Sequence, residues 1–200
     1  MERFQIWAQP WWVNLIFLVP ALSYFFWRRN GLLLSSGSLL TLALFGASFG
    51  FVEAAVVVYL STAAGVLGHN SSTISQLQPS SATYQQAVSS VAEIPQSLRT
   101  IEVFREAATM IMLGSVALLA GVRAKERWGS FLWTFAAWDI TYYAGLWATL
   151  RWPSSLKDYD VLFLIPVPWV AQVWFPVLVS TLTLLAVVLS RRGKSACPEP

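Results

Sequence analysis

Five long apolar stretches alternate with short charged turns and one long polar segment along the 200 residues of the chain. The apolar stretches cover residues 11–27, 39–64, 100–122, 128–150 and 161–190. A run of roughly 17 to 25 mainly apolar residues spans the hydrocarbon core of a bilayer as a helix. The pattern therefore predicts an all-α bundle of five transmembrane helices, formed as a single domain by residues 1–200.

Two segments depart from this regular pattern. Residues 65–99 are rich in Ser, Thr, Gln and Asn, which is too polar to span, so they are predicted to lie over the outer face of the bundle. Their portion 82–94 is compatible with either a short surface helix or a solvated loop. In the fifth stretch, Pro166, Pro168 and Pro176 predict a bent or locally unwound outer half, which protein or a cavity must cover.

The second stretch carries small residues at a spacing typical of close helix packing. Gly46 and Gly50 form a pair four residues apart, with Ala43 and Ala54 near the same stripe. Such pairs allow two helix backbones to approach closely in a membrane. Glu53 follows three residues after Gly50, so a helix directs its carboxylate to the same side and into the bundle.

The third stretch carries three charges on one helical face. Glu102, Arg105 and Glu106 lie at positions i, i+3 and i+4 of the sequence IEVFREAATMIML. An ionisable side chain at membrane depth costs at least about 2.5 kcal/mol, and such residues usually face the bundle interior and mark a functional site. This face is therefore predicted to be the centre of the bundle.

The fourth stretch adds a further acid near its midpoint. Asp139 is followed one turn later by Tyr142 and Tyr143, whose hydroxyls are able to donate hydrogen bonds to a carboxylate or a ligand. The predicted polar layer then consists of four carboxylates and one guanidinium: Glu53, Glu102, Glu106, Asp139 and Arg105. Full ionisation would leave a net charge of roughly −3 in a low-dielectric setting, so either some carboxylates are protonated or a cation is bound.

Three interpretations of this layer stay open. Oxygen ligands from Glu53, Glu106 and Asp139 suit a hard divalent cation such as Mg²⁺, Mn²⁺ or Ca²⁺. A di-iron site is disfavoured because bundle di-iron proteins use Glu-x-x-His, whereas this chain has Arg105 three residues after Glu102. In the purely structural interpretation, Arg105 neutralises Glu102 or Glu106 and the other acids are neutral hydrogen-bonding groups between helices.

Basic residues are distributed unequally over the predicted loops. The loops after the first, third and fifth spans contain eight Lys and Arg, against four on the opposite side: residues 28, 29, 123, 125, 127, 191, 192 and 194 against residues 3, 99, 151 and 157. The positive-inside rule then predicts an outer N-terminus and a cytoplasmic C-terminus. Asp158 and Asp160 are predicted to cap the start of the fifth span.

Composition agrees with an integral membrane protein of a plasma or bacterial inner membrane. Hydrophobic residues make up 56% of the chain, charged residues 12%, and the 11 Trp fit aromatic belts at the membrane interfaces. The net charge of +3 comes from loop residues that set topology, so no nucleic-acid partner is expected. A single His69 excludes haem held by two histidines, and the absence of Lys from the apolar stretches argues against retinal.

Three functions are compatible with this pattern. The first is an intramembrane carboxylate–Arg site that binds a cation or a polar small molecule, with chemistry at the site left open. The second is an accessory subunit of a larger membrane complex, whose Trp-rich faces contact partner helices as well as lipid. The third is a proton-coupled or ion-coupled carrier, which at this length and without internal repeats would need to form a homo-oligomer.

Overall fold

The computed structural model describes residues 7–63, 84, 87–88 and 95–191. This part of the chain is mostly helical and forms five α-helices: α1 Leu18–Asn30, α2 Ser36–Ala63, α3 Gln96–Ala120, α4 Ala124–Leu150 and α5 Trp174–Ser190. A 3₁₀ helix, Trp11–Phe17, leads into α1. An antiparallel hairpin of β1 Tyr159–Phe163 and β2 Trp169–Gln172 separates α4 from α5.

Within the part of the chain that the structure describes, two helices are long and apolar enough to cross a membrane. They are Ser36–Tyr59 within α2, with a mean hydropathy of 1.9, and Gln96–Ala120, which is α3, with a mean hydropathy of 1.6. The helix α5 is also apolar but has only 17 residues. The mostly helical class is confirmed, whereas five spans and their orientation stay predictions.

The fifth stretch was predicted as a transmembrane helix with a bent or locally unwound outer half, and this is wrong for its first part, which forms a hairpin. Tyr159 pairs with Gln172 and Val161 with Val170, and the register shifts between Val161 and Phe163. Pro166 and Pro168 lie in the connection, where their lack of an N–H removes no hydrogen bond between the two strands. The departure from a helix was therefore predicted at the right position, but the segment forms paired strands and not an unwound helix.

The central helix of the bundle is α4, which packs against α2, α3 and α5, while α1 packs against α5. The contact of α4 with α2 depends on the predicted small residues. A Cβ added at Gly46 would lie 2.6 Å from the carbonyl oxygen of Thr134, and one at Gly50 would overlap the carbonyl oxygen of Trp138. Backbone against backbone, α2 and α4 thus carry Glu53 and Asp139 into the same bundle.

Aromatic rings form a continuous row along α4, which accounts for part of the Trp-rich composition. Successive ring centroids are 5.3 to 6.1 Å apart along this row: Trp128, Phe131, Phe135, Trp138 and Tyr142. Contacts at such distances are favourable in stacked and tilted arrangements. Beyond Tyr142 the ring contacts continue to Tyr143, at a centroid distance of 5.2 Å, so the row leads into the predicted polar layer.

Basic residues gather at one end of the bundle, which we call the basic end. The Lys125 ammonium donates to the carbonyl oxygen of Gly31 at 2.8 Å, and the Arg127 Nε donates to that of Gly121 at 3.0 Å. These carbonyls follow α1 and α3, so the cations satisfy helix C-termini. The Leu32 N–H donates to the Ser190 carbonyl at 2.8 Å and joins the end of α5 to the same region.

The hairpin lies at the opposite end, which we call the hairpin end. Gln9 exchanges two backbone hydrogen bonds of 2.8 Å with Val170 and extends the sheet. Ala87 is buried against Tyr159 and Val170. Ala87 is helical, as are Tyr84 and Val88, whereas most of the polar segment 65–99, including the rest of the candidate surface helix 82–94, lies outside the described residues.

Candidate functional site

Arg105 is the centre of a charged layer near the hairpin end. Its Nε and Nη2 donate to Glu102 Oε2 at 3.0 and 2.6 Å, one helical turn away on α3. Its Nη1 forms an ion pair with Glu53 Oε2 on α2. The predicted pairing of Arg105 with Glu102 is present, and Glu53 takes the place that the sequence offered to Glu106.

Glu53 joins α2 to α3 through both of its oxygens. It is only 4% exposed, and its Oε1 accepts a hydrogen bond of 2.5 Å from the Thr109 hydroxyl. Thr109 lies one turn after Arg105 on α3, so the same helical face supplies the guanidinium and the hydroxyl. The sequence did not single out Thr109, although its i+4 spacing from Arg105 is visible there.

The carboxylate of Glu106 is directed at the hairpin and not at Arg105. Both of its oxygens accept the Leu164 backbone N–H, at 2.9 Å each. Leu164 follows β1 directly and lies outside the paired positions of the hairpin. Glu106 thus holds the hairpin connection against α3, and Arg105 acts on it only through space.

Two further acids belong to a second group around α4. Ser180 of α5 donates to Asp139 Oδ2 at 2.7 Å. The Tyr143 hydroxyl, one turn after Asp139, donates to Asp160 Oδ2 at 2.8 Å, and the Val161 N–H donates to Asp160 Oδ1 at 2.8 Å. Burial raises the pKa of the Asp160 carboxyl, while these two donors lower it in part.

Asp160 is the acid that sequence reasoning assigned wrongly. It was predicted to cap the last span, but it lies in β1 and accepts the Tyr143 hydroxyl. Asp158 does not cap a helix either: its Oδ2 accepts the Ser154 and Ser155 N–H groups at 2.7 and 3.1 Å in the turn before β1. The alternation of Tyr159 and Asp160 was the only available indication of a strand. It was missed because residues 161–190 were interpreted as a helix.

Tyr142 interacts electrostatically with members of both groups, with Arg105 and Glu102 of the first and with Asp160 and Asp139 of the second. The polar residues therefore form two clusters that both act on this side chain: Glu53, Glu102, Arg105 and Glu106, then Asp139, Tyr143 and Asp160.

The metal site predicted at Glu53, Glu106 and Asp139 gains no support from these contacts. Each acid has different partners: an ion pair, a backbone amide and a hydroxyl, respectively. Among the described residues, no group of three or more His, Cys, Asp and Glu side chains is placed to hold a metal ion. A divalent cation at these three residues stays a prediction from the sequence.

A cleft of about 330 Å³ opens beside the charged layer at the hairpin end. One wall is the first turns of α3 and the other is the hairpin connection; it is lined by Gln96, Arg99, Thr100, Val103, Leu164, Pro166, Val167 and Pro168. Its volume falls at the lower end of the range for small-molecule pockets. Leu164, which donates to Glu106, connects the cleft to the layer.

Comparison with known protein families, with curated proteins and with solved structures gives no match to this chain. Functional inference therefore depends on the geometry of the layer and the cleft.

Proposed function

We propose that this chain is an integral membrane protein whose buried carboxylate–Arg layer binds a cation or a polar small molecule. The observation that carries the proposal is the imbalance of charge. One guanidinium is shared by Glu53 and Glu102, while Glu106, Asp139 and Asp160 form no ion pair within the described ranges. Buried carboxylates without counter-charge favour the uptake of protons or of a positively charged or donor-rich ligand.

Helix lengths support five membrane spans. At 1.5 Å per residue, α2, α3 and α4 are about 42, 38 and 40 Å long, against a hydrocarbon core of about 30 Å. The 3₁₀ helix and α1 run without interruption from residue 11 to residue 30 and add about 33 Å. The short α5 is continued by the hairpin, whose strands pair with each other and with Gln9.

The position of the basic end supports an outer N-terminus and a cytoplasmic C-terminus. Labelling with a membrane-impermeant thiol reagent tests this orientation in sealed cells. A cysteine introduced as Leu156→Cys, in the exposed turn before the hairpin, should react from outside, whereas the natural Cys197 should react only after permeabilisation. Reaction of Cys197 in intact cells would reverse the topology.

Binding to the layer is tested by thermal unfolding of the purified protein in detergent. Chlorides of Na⁺, K⁺, Mg²⁺ and Ca²⁺ and neutral polyols are compared at constant ionic strength, because a ligand at about 100 times its Kd adds roughly 2.7 kcal/mol of stability. Glu53→Gln and Asp139→Asn should abolish the shift. The matched control is Glu126→Gln, a buried acid at the basic end that accepts the Arg123 N–H at 3.1 Å.

A role as an accessory subunit is the second candidate, supported by the exposed face of α3. Large apolar side chains project from this helix along much of its length: Phe104, Ile111, Leu118 and Leu119 are 57 to 89% exposed. Lipid or partner helices would cover them. Cross-linking from Phe104→Cys in native membranes distinguishes the two, since a subunit should give one defined cross-linked product and a lipid-covered face none.

A further inference from the structure

We infer that the cleft between α3 and the hairpin connection binds a phospholipid with a net negative head group, whose phosphate pairs with Arg99 and whose acyl chain lies along α3. The inference rests on the membrane placement in the proposed function, and not on ligand binding by the charged layer. Among the described residues that line the cleft, Arg99 is the one with a charged side chain and none is acidic. The cleft therefore favours an anion.

Arg99 is available to a group from outside the protein. It is exposed, and it forms no ion pair within the described ranges. The next acid along α3 is Glu102, whose Oε2 already accepts Nε and Nη2 of Arg105. Arg99 also lies in the first turn of α3, where the positive end of the helix dipole adds to its attraction for an anion. A guanidinium at this position suits a phosphate, which it can bind through two parallel hydrogen bonds.

The cleft separates polar from apolar groups, as a lipid does at the membrane surface. Gln96 and Arg99 lie in the first turn of α3, and Val103 lies one turn further along the helix. The opposite wall is apolar: Leu164, Pro166, Val167 and Pro168. The Leu164 N–H is occupied by Glu106, and proline has no N–H. Polar contacts to a head group must therefore come from the first turn of α3.

The apolar side of the cleft continues along α3 towards the middle of the helix. Val103, Ala107 and Gly114 lie at i, i+4 and i+11, within about 40° of one another around the helix axis. A Cβ added at Gly114 would meet no atom within 4 Å, so there is open space beside the helix at this point. Between Val103 and Gly114 the helix rises about 16 Å, close to half of a hydrocarbon core of about 30 Å. An acyl chain of one leaflet matches this length.

Exposed apolar side chains beside the cleft favour a lipid over a soluble anion. Phe104, next to Val103 on α3, is 71% exposed, and Ile165 and Val167 of the hairpin connection are 38 and 44% exposed. A small hydrophilic anion at Arg99 would leave these side chains in contact with water. A phospholipid pairs with Arg99 and covers them at the same time.

The occupant is tested with brominated lipids, which quench a nearby fluorophore. The full chain with Cys197→Ser receives a bimane label after Ile111→Cys, an exposed position between Ala107 and Gly114. It is reconstituted in vesicles with equal amounts of phosphatidylglycerol and phosphatidylcholine, of which only one is brominated. Because the surface charge is the same in both samples, a difference in quenching measures a local preference. Phosphatidylglycerol should be enriched beside α3 by up to about fivefold, the contribution of one basic residue near an anionic surface.

Three variants identify the residue responsible. Arg99→Gln should remove the enrichment, and Arg99→Lys should retain most of it. Lys157→Gln, an exposed cation at the same end but outside the cleft, should leave it unchanged. Both positions are exposed, so none of these substitutions should affect folding. Equal quenching by the two lipids with Arg99 present, or enrichment that persists in Arg99→Gln, would overturn the inference.

Two further outcomes separate this inference from other occupants and from the proposed function. Loss of the enrichment when inorganic phosphate replaces chloride at equal ionic strength would assign the cleft to a soluble anion and overturn the lipid. Absence of quenching by either brominated lipid would contradict both the inference and the membrane placement. Equal quenching by both lipids would leave the membrane placement and the layer around Arg105 intact.

Discussion

The two ends of the bundle use buried charge in different ways. At the basic end, Lys125 and Arg127 bind carbonyl oxygens that follow α1 and α3, and Glu126 accepts the Arg123 N–H at the start of α4. Each of these charges satisfies a helix terminus, as the helix dipole favours. Near the hairpin end, Glu53, Arg105 and Glu106 lie in the middle of helices whose backbone groups are already paired.

This comparison separates structural charge from charge that needs another explanation. A charged residue at a helix end stabilises the helix wherever it occurs. A charged residue within a helix at membrane depth costs free energy unless partners compensate it, and single polar contacts between helices return only about 0.6 kcal/mol on average. The layer around Arg105 is therefore difficult to explain by stability, which is why we assign ligand binding to it.

The largest expected effect comes from removing the only guanidinium of the layer. Arg105→Leu leaves Glu53 and Glu102 without their ion pairs, and breaking a buried pair costs about 3 to 5 kcal/mol. Arg127→Leu at the basic end should cost only about 0.5 to 1.5 kcal/mol, since it removes one hydrogen bond. Equal losses in thermal unfolding at neutral pH would contradict the distinction between the two ends.

A smaller effect is expected from the packing that positions Glu53. Gly50→Leu introduces a side chain where even a Cβ overlaps the Trp138 carbonyl, and overpacking typically costs about 1 to 3 kcal/mol. It should also weaken ligand binding, because α2 must move away from α4. The control is Gly114→Ala, where no atom lies within 4 Å and helix propensity should raise stability by about 0.5 to 1 kcal/mol.

The smallest effect concerns the pH dependence of stability at Asp160. Burial raises its folded pKa above the unfolded value of about 3.9, so the folded state binds the proton more tightly. Stability should be greatest below that value and should fall, by at most about 1.4 kcal/mol per pH unit, as pH rises through the folded pKa. Asp160→Asn should remove this part of the slope in unfolding measurements across pH.

Tyr143→Phe sharpens the same measurement in the opposite direction. This substitution removes the hydroxyl that donates to Asp160 and lowers the pKa of its carboxyl. The pKa of Asp160 should therefore rise further, and stability should continue to fall up to a higher pH. An unchanged slope in both variants would mean that the pKa of Asp160 is the same in the folded and the unfolded protein.

Much of the fold was predictable because helix packing has local signals. The ranges of α2, α3 and α4 follow from apolar length, and Gly46 with Gly50 identified the surface that contacts another helix. The hairpin was not predictable as paired strands, because residues 159–172 continue the apolar stretch of the last span, and a short apolar run does not distinguish a strand from a buried helix.

The sequence predicted only part of the polar contacts, since it indicated neither Thr109 nor the position of Asp160, and it did not predict which residues pair. Periodicity placed Glu102, Arg105 and Glu106 on one face of a helix. Their spacing within one turn does not determine which acid faces a neighbouring helix and which acid faces the connection between two strands. Glu53 of α2 reaches Arg105 of α3 because both helices pack against α4, and Glu106 reaches Leu164 because the hairpin folds back. Neither partner is near in sequence, so no local pattern records it.

The unequal lengths of α2 and α5 have a consequence for the surrounding lipid. With 28 and 17 residues, they are about 42 and 26 Å long. In a bilayer with a hydrocarbon core of about 30 Å, α2 would be longer than the core and α5 shorter than it. Beside α5, this hydrophobic mismatch favours local thinning of the bilayer and short-chain lipids. The protein should therefore select its lipid neighbours differently around its circumference.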